Sequence, residues 1–268
     1  MLVSDQLQRV VAIPDHLKKI VSLVPSQTEL LCTLGLEDQI AGITKFCIHP
    51  DHVFRSKTRV GGTKNADIEK IKTIAPDLII ANKEENEPSD IEKLEKHFPV
   101  WVSDVRNLDG AIEMIKTVGH ITGKSIEAEA LSSDITKGFT HLRKSVPLKV
   151  IYLIWNNPYM TIGSDTFIHD IISRCGWINA FGKSRRYPMI TDEDIYQSEA
   201  DIILLSSEPF PFNEKHAALL TEKFRIPALV VDGEFFSWYG SRLTGAPGYL
   251  NELTLQAERV IEEKSAKT

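Results

Sequence analysis

Glu69-Lys70-Ile71-Lys72-Thr73-Ile74-Ala75-Pro76-Asp77-Leu78-Ile79-Ile80 is the stretch that decides the fold: a short helix, a proline break and an apolar run of strand length. The arrangement returns as Glu193-Asp194-Ile195 followed by Ala200-Asp201-Ile202-Ile203-Leu204, with the glutamates and the aspartates displaced by the same interval. Lys96-His97-Phe98-Pro99-Val100-Trp101-Val102 has its counterpart in 223–231, where Pro227 leads into the strand. A repeat this long is no solenoid period. It describes two similar halves, each alternating helix and strand, and so an α/β protein of two lobes with parallel sheets.

Working outward, 19–24 reads as a buried strand broken by Pro25-Ser26, with Ser26 expected to cap a helix over 27–34 and Gly35 to end it. Strands are expected at 40–46, 78–81 and 100–102, and helices at 67–73, capped by Asp67, and at 91–98. In the second half, 149–154, 202–205 and 228–231 read as strands, and 166–175, 192–197, 217–224 and 249–263 as helices. Between the halves, apolar residues from Leu108 to about Lys144 recur at helical spacing without a proline. Read as one helix of ~37 residues, the run is ~55 Å long and joins the lobes. The alternative is two consecutive helices broken near Gly123-Lys124-Ser125. The expected organisation is an amino-terminal lobe over 1–107, a connecting helix over 108–146 and a carboxy-terminal lobe over 147–268.

The 268 residues are 42% hydrophobic and 25% charged, enough for a real core. A net charge of −6 argues against nucleic acid or an anionic membrane as partner. No run approaches the ~20 apolar residues that span a bilayer. Met1-Leu2-Val3-Ser4-Asp5-Gln6 has no basic or apolar leader character. The chain as written therefore reads as cytoplasmic, or as periplasmic if it is a trimmed mature form. Cys32, Cys47 and Cys175 are odd in number and far apart, so reduced thiols are expected.

In parallel α/β sheets, ligands sit beyond the carboxyl ends of the strands. Cys47 and His49 would share a face of an extended segment and form a candidate metal pair. Gly61-Gly62-Thr63-Lys64-Asn65 lacks phosphate-loop spacing and reads as a close backbone approach. Asn82 is the first polar residue off its strand. The second half is richer in aromatics: Trp155 to Met160, Ser206 to Phe212 and Asp232 to Arg242 each follow a strand. Aromatic bodies beside polar groups suit a broad, planar or chelated ligand. Catalysis has little support, because neither a GxSxG elbow nor an HExxH helix is present. Glu208 and Glu234 remain a possible carboxylate pair.

Ile20 to Glu29, Glu69 to Ile80, the long helical run and Asn157-Pro158-Tyr159-Met160-Thr161-Ile162-Gly163 resemble the class III, helical-backbone periplasmic substrate-binding proteins, the receptors of ABC importers for vitamin B12, iron siderophores and haem. The resemblance implies two lobes with a cleft between them and no enzymatic activity. It also implies an importer permease docking through Glu69 and Glu193. Phe46 matches an aromatic of the B12-binding relatives, while Thr63 and Asn82 stand where those carry tryptophans. Trp155, Phe210, Phe212, Trp238 and Tyr239 would supply compensating apolar contact, Asn82, Glu208, Glu234 and Arg242 polar anchors, and Thr63 and Tyr159 further ligand-binding positions. The function expected is capture of cobalamin or a related metal chelate, with no resident cofactor. The alternatives are a cytosolic sensor or carrier on the same fold, or a metal-dependent enzyme with Cys47 and His49 as ligands.

Overall fold

The computed structural model describes residues 1–144 and 146–265. Ser145, inside the expected connecting segment, and 266–268 of the expected last lobe lie outside the described residues. Contacts divide the chain into two compact units. The first holds 1–105, 109–134 and 238–242; the second holds 106–108, 135–237 and the chain from Leu243 onward.

In the first unit a hairpin of β1 (Leu2–Ser4) and β2 (Val10–Ala12) precedes β3 (Ile20–Ser22), α1 (Pro25–Thr33) and β4 (Ile40–Ile43). There follow α2 (Asp51–Ser56), β5 (Thr58–Arg59), α3 (Ile68–Ile74), β6 (Leu78–Asn82), α4 (Pro88–Glu95), β7 (Val100–Ser103), α5 (Leu108–Ile121) and the start of α6 (Ser125–Thr140). The second unit continues with β8 (Lys149–Leu153), β9 (Trp155–Asn156), β10 (Tyr159–Met160), α7 (Phe167–Arg174), β11 (Ile178–Asn179), β12 (Met189–Ile190) and α8 (Asp192–Gln197). It ends with β13 (Ile202–Ser206), α9 (Glu214–Phe224), β14 (Ala228–Val231), α10 (Glu234–Ser237) and α11 (Ala246–Ser265).

Both main sheets are parallel: β5-β4-β3-β6-β7 in the first unit and β11-β8-β13-β14 in the second. Their central strands β6 and β13 are buried along their whole length and read as nearly continuous apolar runs, as parallel strands covered on both faces do. In each unit the chain moves one way from the first strand and then crosses back to its other side. In α/β sheets ligands bind where the strand order reverses in this way, here beyond the carboxyl ends of β3 and β6 in one unit and of β8 and β13 in the other. Helices pack the apolar cores, for example Leu94 of α4 with Ile79, and Leu220 of α9 with Ile203.

Two local expectations are corrected. Ser26 lies inside α1, whose cap position is Val24, because Pro25 with its fixed φ starts the helix two residues earlier. The expected single long helix is two helices, as in the alternative reading. Gly123, at φ +74°, ends α5: its N–H donates to His120 O and the next N–H, of Lys124, to Gly119 O. The same pair of bonds ends α1 at Gly35, also at φ +74°. At Gly119 a Cβ would come within 2.2 Å of Ala128 Cβ, so α6 turns back against α5 where only glycine admits it.

Candidate functional site

At the strand tips of the first unit the polar side chains are largely spent on one another. Asn82, 1% exposed, donates through Nδ2 to Ser103 O and Oγ, and its Oδ1 accepts from the Glu84 and Glu85 N–H groups. Asn86 accepts from Asn82 N and donates to Leu23 O and Thr63 O, while Gln27 donates to Ser103 Oγ. The expectation of Asn82 as an outward anchor is therefore corrected: its amide closes the turn after β6. Phe46 is 50% exposed and lies over Gly62, where a Cβ would stand 3.3 Å from the ring, with Lys45 Nζ 5.1 Å from the ring centroid. Thr63, half-buried, follows directly on that glycine. Phe46 and Thr63 thus share one set of loop tips.

The Cys47 thiol is fully buried and receives a hydrogen bond from Thr28 Oγ1 at 3.1 Å, with Thr44 Oγ1 also at 3.1 Å. Burial pushes its pKa up, which disfavours the thiolate a metal needs. The His49 ring instead stands edge-on to Trp238 at 5.7 Å. Among the described residues no group of three or more His, Cys, Asp or Glu is placed to hold a metal ion.

Trp238 and Tyr239, expected to be ligand contacts, are only 8% and 7% exposed, within the 238–242 segment that belongs to the first unit. Arg242 is also engaged: its Nε and Nη2 pair with both carboxylate oxygens of Glu29 at 3.1 and 2.7 Å, and its guanidinium lies 4.7 Å from the Trp238 ring. Gly240 brings the segment onto the start of α1, where a Cβ would meet Ser26 O at 2.8 Å. His49, Trp238, Arg242 and Glu29 form one stack that fastens this segment to the first unit.

The second unit's tips are more outward-facing. Trp155, 39% exposed, meets Phe210 edge-on at 5.6 Å, and Phe210 packs on Phe212 at 4.7 Å. Glu208 Oε1 accepts from Ser237 Oγ at 2.8 Å, and Glu208 O accepts from Ser206 Oγ at 2.5 Å. Tyr152 donates to the same Ser206 hydroxyl from full burial, which raises its pKa. A Cβ at Gly233 would meet Ser206 Oγ at 2.3 Å and Glu208 Cγ at 2.8 Å, so glycine there lets the loops after β13 and β14 touch. Glu234 opens α10, its N–H bonded to Asp232 Oδ1 at 3.0 Å. The structure therefore brings Trp155, Phe210, Glu208 and Glu234 onto neighbouring loops of one sheet edge. Tyr159 is elsewhere. It pairs across with Asn156, facing away from Trp155 and Met160, and lines a cavity of about 560 Å³ with His216 and Lys223 of α9.

Sequence reasoning passed over the loop after β11, where Lys183, Arg185 and Arg186 are exposed. An Arg-Arg pair beside a lysine, just past a short strand of an acidic chain, was the available signal. Glu69 and Glu193 lie exposed in the first turns of α3 and α8, Glu69 bonded to Lys72 Nζ at 2.9 Å and Glu193 to Gln197 Nε2 at 2.5 Å.

Two parallel-sheet units with ligand-sized side chains at their strand tips define a solute-binding architecture, and the match to known proteins agrees. The periplasmic binding protein model matches residues 20–223, and the chain belongs to that family. More particularly, it is 26% identical over 199 residues to the vitamin B12-binding protein of Vibrio cholerae serotype O1, covering 72% of each chain. Its fold is shared with the apo periplasmic heme-binding protein from Roseiflexus (TM-score 0.79, 18% identity, 91% of this chain and 99% of that one). It is shared too with the petrobactin-binding protein of Bacillus subtilis (TM-score 0.79, 16% identity, 95% and 98%).

Proposed function

We propose that this chain is a non-enzymatic solute receptor that captures cobalamin or a related metal chelate, a ferric siderophore or haem, and delivers it to an ABC-type importer. The observation that carries the reading is the placement of exposed aromatic rings at strand tips, Phe46 in one unit and Trp155, edge-on to the half-buried Phe210, in the other. Single exposed aromatics are common on surfaces; these stand on the loops where parallel sheets receive ligands. The vitamin B12- and heme-binding names of its relatives support the same class of ligand. In this reading Glu69 and Glu193 meet the permease, since both are exposed at corresponding places in the repeat. Delivery to an importer places the working protein outside the inner membrane.

A ligand that binds only the folded state stabilises it by RT ln(1 + [L]/Kd), about 2.7 kcal/mol at a hundredfold excess over Kd. Thermal unfolding is therefore expected to shift upward by several degrees with cyanocobalamin, haemin or a ferric siderophore. No shift with any of the three at saturation overturns the proposal. Charge reversal at Glu69 and Glu193 together is expected to leave that shift intact and to abolish stimulation of the cognate transporter's ATPase.

A further inference from the structure

Behind the ribbon that carries Trp155, the second unit holds an open cavity of about 560 Å³, a size usual for small-molecule sites. Strand and helix periodicity build its two walls. Asn156 of β9 and Tyr159 of β10 are cross-strand partners and point to the face of the ribbon opposite Trp155 and Met160. On α9, His216, Leu219, Leu220 and Lys223 fall three and four residues apart, on one stripe that lines the cavity. From His216 to Arg225 this wall runs about 14 Å, at ~1.5 Å per residue.

Two of the polar groups in the lining are already engaged. Lys223 Nζ donates to Asp192 Oδ1 at 2.8 Å and lies 5.5 Å from the centroid of the Tyr159 ring, so its charge is balanced. His216 Nδ1 accepts from Asn213 N at 3.2 Å, and the ring stands edge-on to Phe210 and Phe212. Three other groups remain open. Leu219, 63% exposed, leaves apolar surface at the cavity beside the half-buried Tyr159. Glu222 and Arg225 are exposed, and among the described residues neither side chain has a hydrogen bond or an ion pair. Arg225 ends α9 in the left-handed conformation, at φ +58°, with its N–H on Thr221 O and its side chain on the cavity.

One open carboxylate, one open guanidinium and apolar surface beside them match a ligand that is itself zwitterionic and apolar. A simple anion meets only Arg225, and a simple cation only Glu222; a free amino acid meets both. Guanidinium takes a carboxylate through paired hydrogen bonds, and a carboxylate takes an ammonium through a charge-assisted one. We infer that this cavity is a second ligand site, separate from the strand tips, and that it takes a free amino acid with a large apolar side chain. Its carboxylate lies on Arg225, its ammonium on Glu222 and its side chain against Tyr159 and Leu219. The occupant touches the back of the ribbon whose other face presents Trp155. This site stands whatever the strand tips capture.

The test is an NMR titration of the isotope-labelled full chain with L-phenylalanine, 3-phenylpropionate and phenethylamine; the last two lack the ammonium and the carboxylate in turn. L-Phenylalanine is expected to bind with Kd at or below about 1 mM, with shifts concentrated at 156–159 and 216–225. Each truncated probe should bind about 10-fold more weakly, for the loss of one charge-assisted contact. Arg225→Asn keeps a residue that tolerates the left-handed conformation. It should weaken L-phenylalanine about 10-fold and leave phenethylamine unchanged. Glu222→Gln should weaken L-phenylalanine by the same factor and leave 3-phenylpropionate unchanged. Damage to the fold would weaken all three probes together, so this crossed pattern separates contact from folding. Absence of saturable L-phenylalanine binding to wild type overturns the inference, as do equal affinities for the three probes or binding that both variants leave untouched.

Discussion

Asp77 and Asp201 do the same work in the two units. Asp77 accepts hydrogen bonds from Lys18 N and Lys19 N at 2.7 and 2.9 Å, and its own N–H donates to Lys19 O. Asp201 accepts from Lys149 N at 2.6 Å, and its N–H donates to Lys149 O. In each unit the aspartate at the start of one strand clips the start of the strand beside it. At the other end of the same strands the units part. After β6 the polar groups turn inward and close on one another through Asn82, Asn86, Ser103 and Gln27. After β13, β8 and β11 they give way to Trp155, Phe210, Glu208 and the basic loop. Strand starts are fixed by backbone needs that both units share, whereas strand ends are free to differ, and the chemistry has collected there.

The sharpest way to break this contrast is to remove the inward network. Asn82→Ala strips partners from buried groups and is expected to cost about 3 kcal/mol in urea denaturation. Ser206→Ala, the tip residue at the same place in the repeat, is expected to cost about 1 kcal/mol. Ligand affinity of folded Asn82→Ala should match wild type. A stable variant that has lost its ligand would make Asn82 a contact after all and reverse the comparison. Next in size is Trp155→Ala, expected to weaken chelate binding about 10-fold through lost aromatic contact while stability moves by less than about 1 kcal/mol. The strand-start likeness predicts smaller effects still: about 1 kcal/mol for Asp77→Ala, with two N–H partners lost, and about 0.5 kcal/mol for Asp201→Ala, with one. The double variant should show the sum if the two clips are independent.

The frame was legible in sequence because its signals are local. Asp67 caps α3 as expected, accepting from Lys70 N at 3.0 Å, and the repeated Asp-apolar run marks β6 and β13. The Leu108–Lys144 run was harder. Its apolar periodicity continues across Gly123, and only the left-handed conformation of that glycine and the contact of Gly119 with Ala128 reveal the break. For the site, position after a strand identified the right loops but not which way a side chain turns. All four were expected as ligand contacts: Trp155 is exposed and Phe210 half-buried on the core, whereas Asn82 and Trp238 are buried. The partners that pull them in, Ser103 and the Glu29–Arg242 stack, are distant in sequence. Helical spacing and turn chemistry carry no record of them.

Buried thiols give the last effect, absent at neutral pH, and it falls on both units. Cys175 in the second unit is pushed up to about 12 by burial, as is the half-exposed Cys32 in the first, and Cys47 is raised in the same direction. In the unfolded chain a thiol ionises near its ordinary value of about 8.5. The folded state thus holds its protons longer, and the unfolded state gains by releasing them first. The contribution is fully present below about pH 8.5 and is lost as pH rises toward 12. Urea midpoints should therefore be flat from pH 7 to 8.5 and fall at pH 10. Cys175→Ala should lower the midpoint at neutral pH through its small cavity yet flatten the alkaline fall. Solvent exposure reduces Cys32's share, so Cys32→Ala should change the slope less. An equal slope in wild type and Cys175→Ala, together with fast thiol labelling of the native wild type at pH 8, would show that burial does not protect Cys175.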